Sequence, residues 1–202
     1  VNLGVGEFDL LQVMPFGAAW ENRRAAFYEP GKNLSYLHKS FSLQEEFPWI
    51  YLWTNRLPAM YLEGFEELMQ LPFKLKDEIR GRRDMLEDFI HNDKLMNCHG
   101  QRCRFCFLNE FCKDLIALKK GGFLQAKTSP ACLKIKWPVL EAYRWDSFDF
   151  GKFLDFFIQY RYFVKSTRCK ACRYDKACGG MPGGRAAAAP GGAKGGRIGR
   201  GT

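Results

Sequence analysis

With 202 residues, 47% of them hydrophobic and 15% aromatic, the chain can bury a substantial core, which excludes disorder along its whole length. No stretch approaches the ~18 uninterrupted apolar residues of a membrane span, and no basic segment leads into an apolar run at the N-terminus. The expectation is a soluble, cytoplasmic protein, and Val1, entering what reads as a strand, suggests a processed product or a piece of a longer chain. A formal net charge of +9 would suit nucleic acid or an anionic surface, but its distribution matters more than its total. Arg185, Lys194, Arg197 and Arg200 stand in a tail without acids. Arg161, Lys165, Arg168, Lys170, Arg173 and Lys176, against Asp175 alone, surround a cysteine group, where cations would offset the charge of metal-bound thiolates. An ordinary solvated basic face is the plain alternative.

In chain order, residues 7–14 mix alternation with an apolar run and break at Pro15-Phe16-Gly17, which predicts a strand ending in a loop and a short helix from about Ala18. Phe47 to Thr54 is a second aromatic and β-branched run. After Pro58, Leu62, Phe65, Leu68 and Met69 share one helical face, predicting a helix over 61–69 with Glu63, Glu66 and Glu67 as its solvated acidic side. Beyond Pro72, Leu75, Ile79, Leu86 and Ile90 mark a further helix. Residues 1–93 therefore read as strand-then-helix units of an α/β domain.

From Cys98 onward short segments separated by cysteines take over, as expected where metal replaces part of a hydrophobic core. Lys113 to Lys120 predicts a short helix capped by Gly121-Gly122, and Leu133, Ile135 and Trp137 alternate as a strand. Phe153, Phe156, Phe157 and Tyr160 predict a helix over 150–164, capped by Ser147 or Asp149, that delivers the chain to Cys169. Such an aromatic stripe is core packing. The segment 179–202 holds ten of the twenty glycines and no aromatic residue, so it is expected to be disordered. The domain boundaries expected are thus 1–93, a cysteine-rich 94–178, and the tail 179–202.

The eight cysteines carry the chemistry. Cys103, Cys106 and Cys112 follow a C-x2-C-x5-C spacing that Cys169, Cys172 and Cys178 repeat, each triplet preceded by arginine and carrying an acidic residue in its second gap. The C-x2-C turn lets two thiolates converge on one centre and the five-residue gap returns a third. Cys98 and Cys132 remain, one for each triplet; sequence proximity assigns Cys98 to the first and Cys132 to the second, although the two could exchange. Disulfides suit a small secreted protein better than this chain, and free buried thiols rarely fall twice into one spacing. Metal is the reading, and the spacing alone suits zinc as well as iron–sulfur clusters. Triplets with a remote fourth ligand, in place of paired C-x2-C ribbons, favour clusters. His99, beside Cys98, is a substitute ligand, whereas His38 and His91 read as surface or helix-end residues. No phosphate loop or Ser-His-Asp arrangement supports a kinase or hydrolase, and the catalytic residues stay unassigned.

The triplet spacing followed by Gly179-Gly180 resembles the auxiliary-cluster extension called SPASM, or its shorter twitch relative, found after the barrel of radical S-adenosylmethionine enzymes. Asp9 to Gly17 and Trp49 to Asn55 look like late barrel strands ending in loops. The resemblance implies partial (β/α) barrel units followed by a cysteine-rich metal-binding α+β extension. It also implies one or two auxiliary 4Fe-4S clusters for electron transfer or substrate anchoring, and a peptide or protein substrate. A ferredoxin or flavodoxin would be the electron donor. S-adenosylmethionine would belong only to a full-length enzyme, because the C-x3-C-x2-C motif that generates the radical is absent; Cys98-x4-Cys103-x2-Cys106 is one residue too long. Pro182 stands where the auxiliary pattern has another cysteine, so the fourth ligand must come from elsewhere. Two rivals remain: a zinc-stabilised module using its basic cysteine region on nucleic acid, and a ferredoxin-like carrier suggested by C-x4-C-x2-C with a distant Cys132. The nucleic-acid reading is the weaker, and no membrane partner is expected.

Overall fold

The computed structural model describes residues 4–96, 98–127, 142–165, 167–176, 178 and 180–182. It is a mixture of helices and three small sheets, in the loose sense an α/β protein. Strand β1 (Glu7–Leu11) pairs in parallel with β2 (Tyr51–Asn55), Glu7 opposite Tyr51 and Leu11 opposite Asn55. A parallel pair needs a long crossover, and four short helices supply it: α1 (Gly17–Glu21), α2 (Arg23–Ala26), α3 (Leu34–Phe41) and α4 (Leu43–Glu46). Alternation turns Leu52 and Thr54 of β2 inward, where Leu52 joins Phe41, Ile50, Leu62 and Leu68 in a first apolar cluster. Thr54 donates its buried hydroxyl to the Leu68 carbonyl at 2.8 Å, fastening the strand to the chain that follows.

That following segment is not the helix expected over 61–69. Gly64 adopts φ +89° and Phe65 φ −137°, so the chain runs as two 3-10 turns, Ala59–Tyr61 and Glu66–Leu68. Glu66 Oε1 accepts the Gly64 amide and stabilises the turn. Glycine at an exposed mid-segment position makes this left-handed geometry cheap, and Leu62 and Leu68 still reach the core.

The long helix expected after Pro72 divides into α5 (Leu75–Arg80) and α6 (Arg83–Asn92) because Arg82 leaves helical geometry at φ −125°, ψ 8°. Both helices bury their apolar faces in a second, larger cluster together with α7 (Asn109–Gly121) and α8 (Phe150–Phe156). Residues of α5 and α6 thus share one cluster with those of α7 and α8. Helix α7 ends as expected, with Gly122 left-handed at φ +73° donating its amide to the Leu118 carbonyl at 2.8 Å. It begins four residues before Lys113, which puts Cys112 on the helix. Phe111 is its anchor, within 5.2 Å of the Phe157 ring and 5.4 Å of Phe153.

Strand β3 (Phe123–Gln125) pairs antiparallel with β4 (Ala142–Arg144). Of the two caps considered for α8, Asp149 is the one used: its Oδ1 accepts the Lys152 amide at 2.8 Å, and its backbone is held by the Tyr143 hydroxyl. Replacing Asp149 with alanine should cost about 1 kcal/mol, read as a lower denaturation midpoint. The helix continues as a π-turn, Phe157–Arg161. Beyond it β5 (Phe163–Val164) pairs with β6 (Met181–Pro182), so the expected tail begins with a strand. Cys132, the strand expected through Leu133, Ile135 and Trp137, and residues 183–202 lie outside the described residues. Among the described residues no helix is long and apolar enough to cross a membrane.

Candidate metal centre

The two cysteine triplets form the same backbone structure. A five-residue 3-10 turn, Gln101–Phe105 in one and Thr167–Ala171 in the other, places the first two thiols. The second cysteine's amide then bonds the first cysteine's carbonyl, Cys106 to Cys103 and Cys172 to Cys169, both at 3.0 Å. Three residues later the pattern recurs, Asn109 to Cys106 at 3.0 Å and Asp175 to Cys172 at 2.9 Å. The third cysteine closes each copy on the residue four before it, Cys112 to Leu108 at 3.0 Å and Cys178 to Tyr174 at 2.8 Å. The repeat in sequence is therefore a repeat in local geometry, although the residues between the cysteines differ almost throughout. The copies diverge at the third cysteine, which stands on α7 in the first and in no helix in the second. The first runs on into α7, while the second turns at Gly180, whose amide lies 3.4 Å from Cys178 Sγ.

In the first copy the structure brings Cys98, Cys103, Cys106 and Cys112 within electrostatic reach of one another and of Arg82. Three of them, Cys98, Cys106 and Cys112, pack against the second apolar cluster. Burial, then the neighbouring thiols Cys106, Cys98 and Cys103, push Cys112 up to about 12, with Arg82 pulling the other way. Burial likewise raises Cys98, again against Arg82. Arg82 approaches Cys106 Sγ at 3.6 Å and lies over the Phe16 ring at 4.5 Å. It has no carboxylate partner among the described residues. Sequence reading missed it, because Arg82 stands between Gly81 and Arg83 with Arg80 close by, and nothing in that basic run singles it out.

Among the described residues no three His, Cys, Asp or Glu side chains close tightly enough to hold a single metal ion. The donor set nonetheless fits a thiolate-ligated group. Four thiols gathered in a half-buried space with one arginine cannot all ionise alone, and a cationic centre is what would deprotonate them. None of the seven described cysteines forms a disulfide. His99 is exposed beside Cys98, and His91 is exposed at the end of α6. His38, expected at the surface, is half-buried: its Nε2 lies 3.3 Å from the Tyr61 carbonyl and its ring 5.2 Å from Phe65.

The second copy is more open. Cys172 is exposed, with Cys169 and Cys178 partly so. Lys165 bonds Asp175 Oδ1 at 2.8 Å and lies within the electrostatic reach of Cys178 and Cys169, so a cation adjoins this group as one adjoins the first.

A cavity of about 850 Å³ connects these parts. Gln12 and Arg56 reach it from the C-terminal ends of β1 and β2, Cys106 and Phe107 from the first knuckle, and Lys127 and Lys165 from the chain leading to the second. Ligands in α/β folds bind outside the carboxyl ends of parallel strands, and this volume lies within the usual range for small-molecule sites. Arg56 braces the junction: left-handed at φ +63°, it bonds Glu78 of α5 at 2.6 Å and lies 5.6 Å from the Phe107 ring. On the far side the π-turn delivers Arg161 to Asp114 of α7, in a bidentate pair at 2.6 and 2.8 Å. π-turns are frequent at functional sites, and this one fixes the helix that carries Cys112.

No family model, curated protein or solved structure matches the chain.

Proposed function

We propose that the protein is the C-terminal part of a radical S-adenosylmethionine enzyme, its two cysteine knuckles each ligating an auxiliary iron–sulfur cluster. The observation that carries the reading is the backbone likeness of the two triplets, because unrelated loops with free thiols have no reason to share one 3-10 turn and the three backbone hydrogen bonds that follow it. In this reading β1, β2 and their crossover helices are late (β/α) barrel units, and the cavity at their C-terminal ends is where substrate meets the cysteine domain. Cys98, Cys103, Cys106 and Cys112 would hold the first cluster; Cys169, Cys172 and Cys178, with Cys132, would hold the second. When bound, such clusters supply one-electron transfer or a substrate anchoring point.

The chain's own residues perform the rest. Apolar packing by α6, α7 and α8 limits water at the first knuckle, and Arg82 offsets its negative charge. The basic side chains around the second knuckle do the same there. A peptide or protein substrate, a ferredoxin or flavodoxin donor and a cytoplasmic location complete the proposal. The rival is a zinc-stabilised binding module, since tetrahedral thiolate sites suit zinc as well.

Iron, zinc and acid-labile sulfide, measured with the visible spectrum on anaerobically purified protein, test the proposal. Brown protein with matched iron and sulfide is the expected result. Colourless protein with stoichiometric zinc would replace it with a zinc-stabilised binding module.

A further inference from the structure

The cavity between the strand ends and the knuckles is chemically lopsided. Its body is apolar and ring-bearing, with Phe27, Tyr28, Tyr61, Phe105 and Tyr162 among its walls. Two carboxylates line it, but each already has a cation of its own: Glu29 pairs with Lys32 at 3.0 Å and Glu110 with Lys113 at 2.8 Å. Two of its cations, Arg56 and Lys165, are likewise neutralised, by Glu78 and Asp175. Two others are not. Arg104 makes no ion pair among the described residues, only a contact with the Phe105 ring at 4.5 Å. Lys127 makes none either, and it is half-buried. Its backbone is tied to the π-turn, its amide donating to the Tyr160 carbonyl at 3.0 Å. Burial pulls Lys127 below the ordinary lysine range, opposed by Asp114 and, more weakly, Glu110, while Arg161 and Lys165 add to the fall.

An unpaired cation held half out of water carries an uncompensated desolvation cost. A partner that brings the missing charge recovers that cost and keeps the ammonium protonated, and the aromatic walls define the rest of that partner. We infer that the cavity binds an organic monoanion, a carboxylate on an apolar, ring-bearing body, with the carboxylate against Lys127 and Arg104. This rests on and deepens the proposed function by naming the group through which a peptide substrate would enter the same cavity, an aromatic residue bearing a free carboxylate, yet it requires no metal at Cys106 and fails or stands separately.

The test uses the purified full chain, its iron and sulfide content measured in each sample, and titration calorimetry with two probes of equal shape, 4-phenylbutyrate and its neutral amide. The expected result is that the acid binds at least about tenfold more tightly than the amide, a difference of roughly 1.4 kcal/mol. Lys127→Met should abolish that preference, Lys127→Arg should keep it, and Arg104→Gln should reduce it, all with unchanged metal content. Equal binding of acid and amide, no binding of either at millimolar concentration, or a preference that survives Lys127→Met would overturn the assignment. Absence of iron in a protein that still discriminates the two probes would instead defeat the cluster reading and leave the anion site standing.

Discussion

Replacing Asp114 with alanine will destabilise the protein by about 3–5 kcal/mol, one of the two largest effects expected of any single change. Asp114 is 8% exposed and accepts both forks of Arg161, whose third contact is the Gln125 carbonyl at 2.8 Å. Removing the carboxylate leaves a guanidinium largely out of water with only a carbonyl to satisfy it. The loss also reaches the first knuckle and any metal proposed there, because Asp114 lies two residues after Cys112 on the same helix and Arg161 ties that helix to the π-turn and to β3. Chemical denaturation should show the drop, and metal retention during dialysis should weaken with it. The double variant Asp114→Leu with Arg161→Met should recover most of the stability, since a buried pair exchanged for apolar groups of similar size is often neutral. A drop below about 1 kcal/mol for Asp114→Ala would show that the pair is solvated and does not hold α7.

The second large effect is on metal content. Cys106→Ala should remove about half of the bound iron and sulfide, Cys172→Ala the other half, and the double variant nearly all, as two independent thiolate-ligated centres require. The two halves should not be equally durable. Cys172 is exposed, whereas Cys106 packs against the apolar cluster beside Arg82, and the shell around a centre controls solvent access to it. A chelator in air should therefore strip the Cys172 site first, and in Cys172→Ala the remaining iron should resist it. Loss of all iron from either single variant would mean one shared centre, and no loss from Cys172→Ala would mean that the second knuckle binds nothing.

How these effects divide follows from how the core is shared. The first apolar cluster, around Phe41 and Leu52, belongs to the parallel strand pair and its crossover. The second runs from Leu75 to Ile158 and includes the first knuckle's thiols at its edge. Damage to the second cluster should therefore reach the cysteines, while damage to the first should act mainly on the strand ends that line the cavity.

The sequence by itself determined the elements that rest on local chemistry: β1 from alternation mixed with an apolar run, β2 from its aromatic and β-branched run, the end of α7 from Gly121-Gly122, the cap of α8 to within Ser147 or Asp149, and the doubled cysteine spacing, which recurs as doubled backbone geometry. These are set by residues a few positions apart, so a linear reading suffices. It failed over 61–69, where an apolar face at helical spacing outweighed Gly64 on paper, although the left-handed glycine at φ +89° ended any helix. It also failed to see the division at Arg82, because nothing local distinguishes a broken helix from a continuous one when Leu75, Ile79, Leu86 and Ile90 all reach the core either way. Only the tertiary structure decided that Arg82 faces Cys106, that Arg161 meets Asp114 across 47 positions, and that Lys127 lines a cavity with no ion-pair partner among the described residues. Each of those is a long-range electrostatic pairing, or its absence. Charge complementarity between distant segments is fixed by packing, and no periodicity in the chain records it.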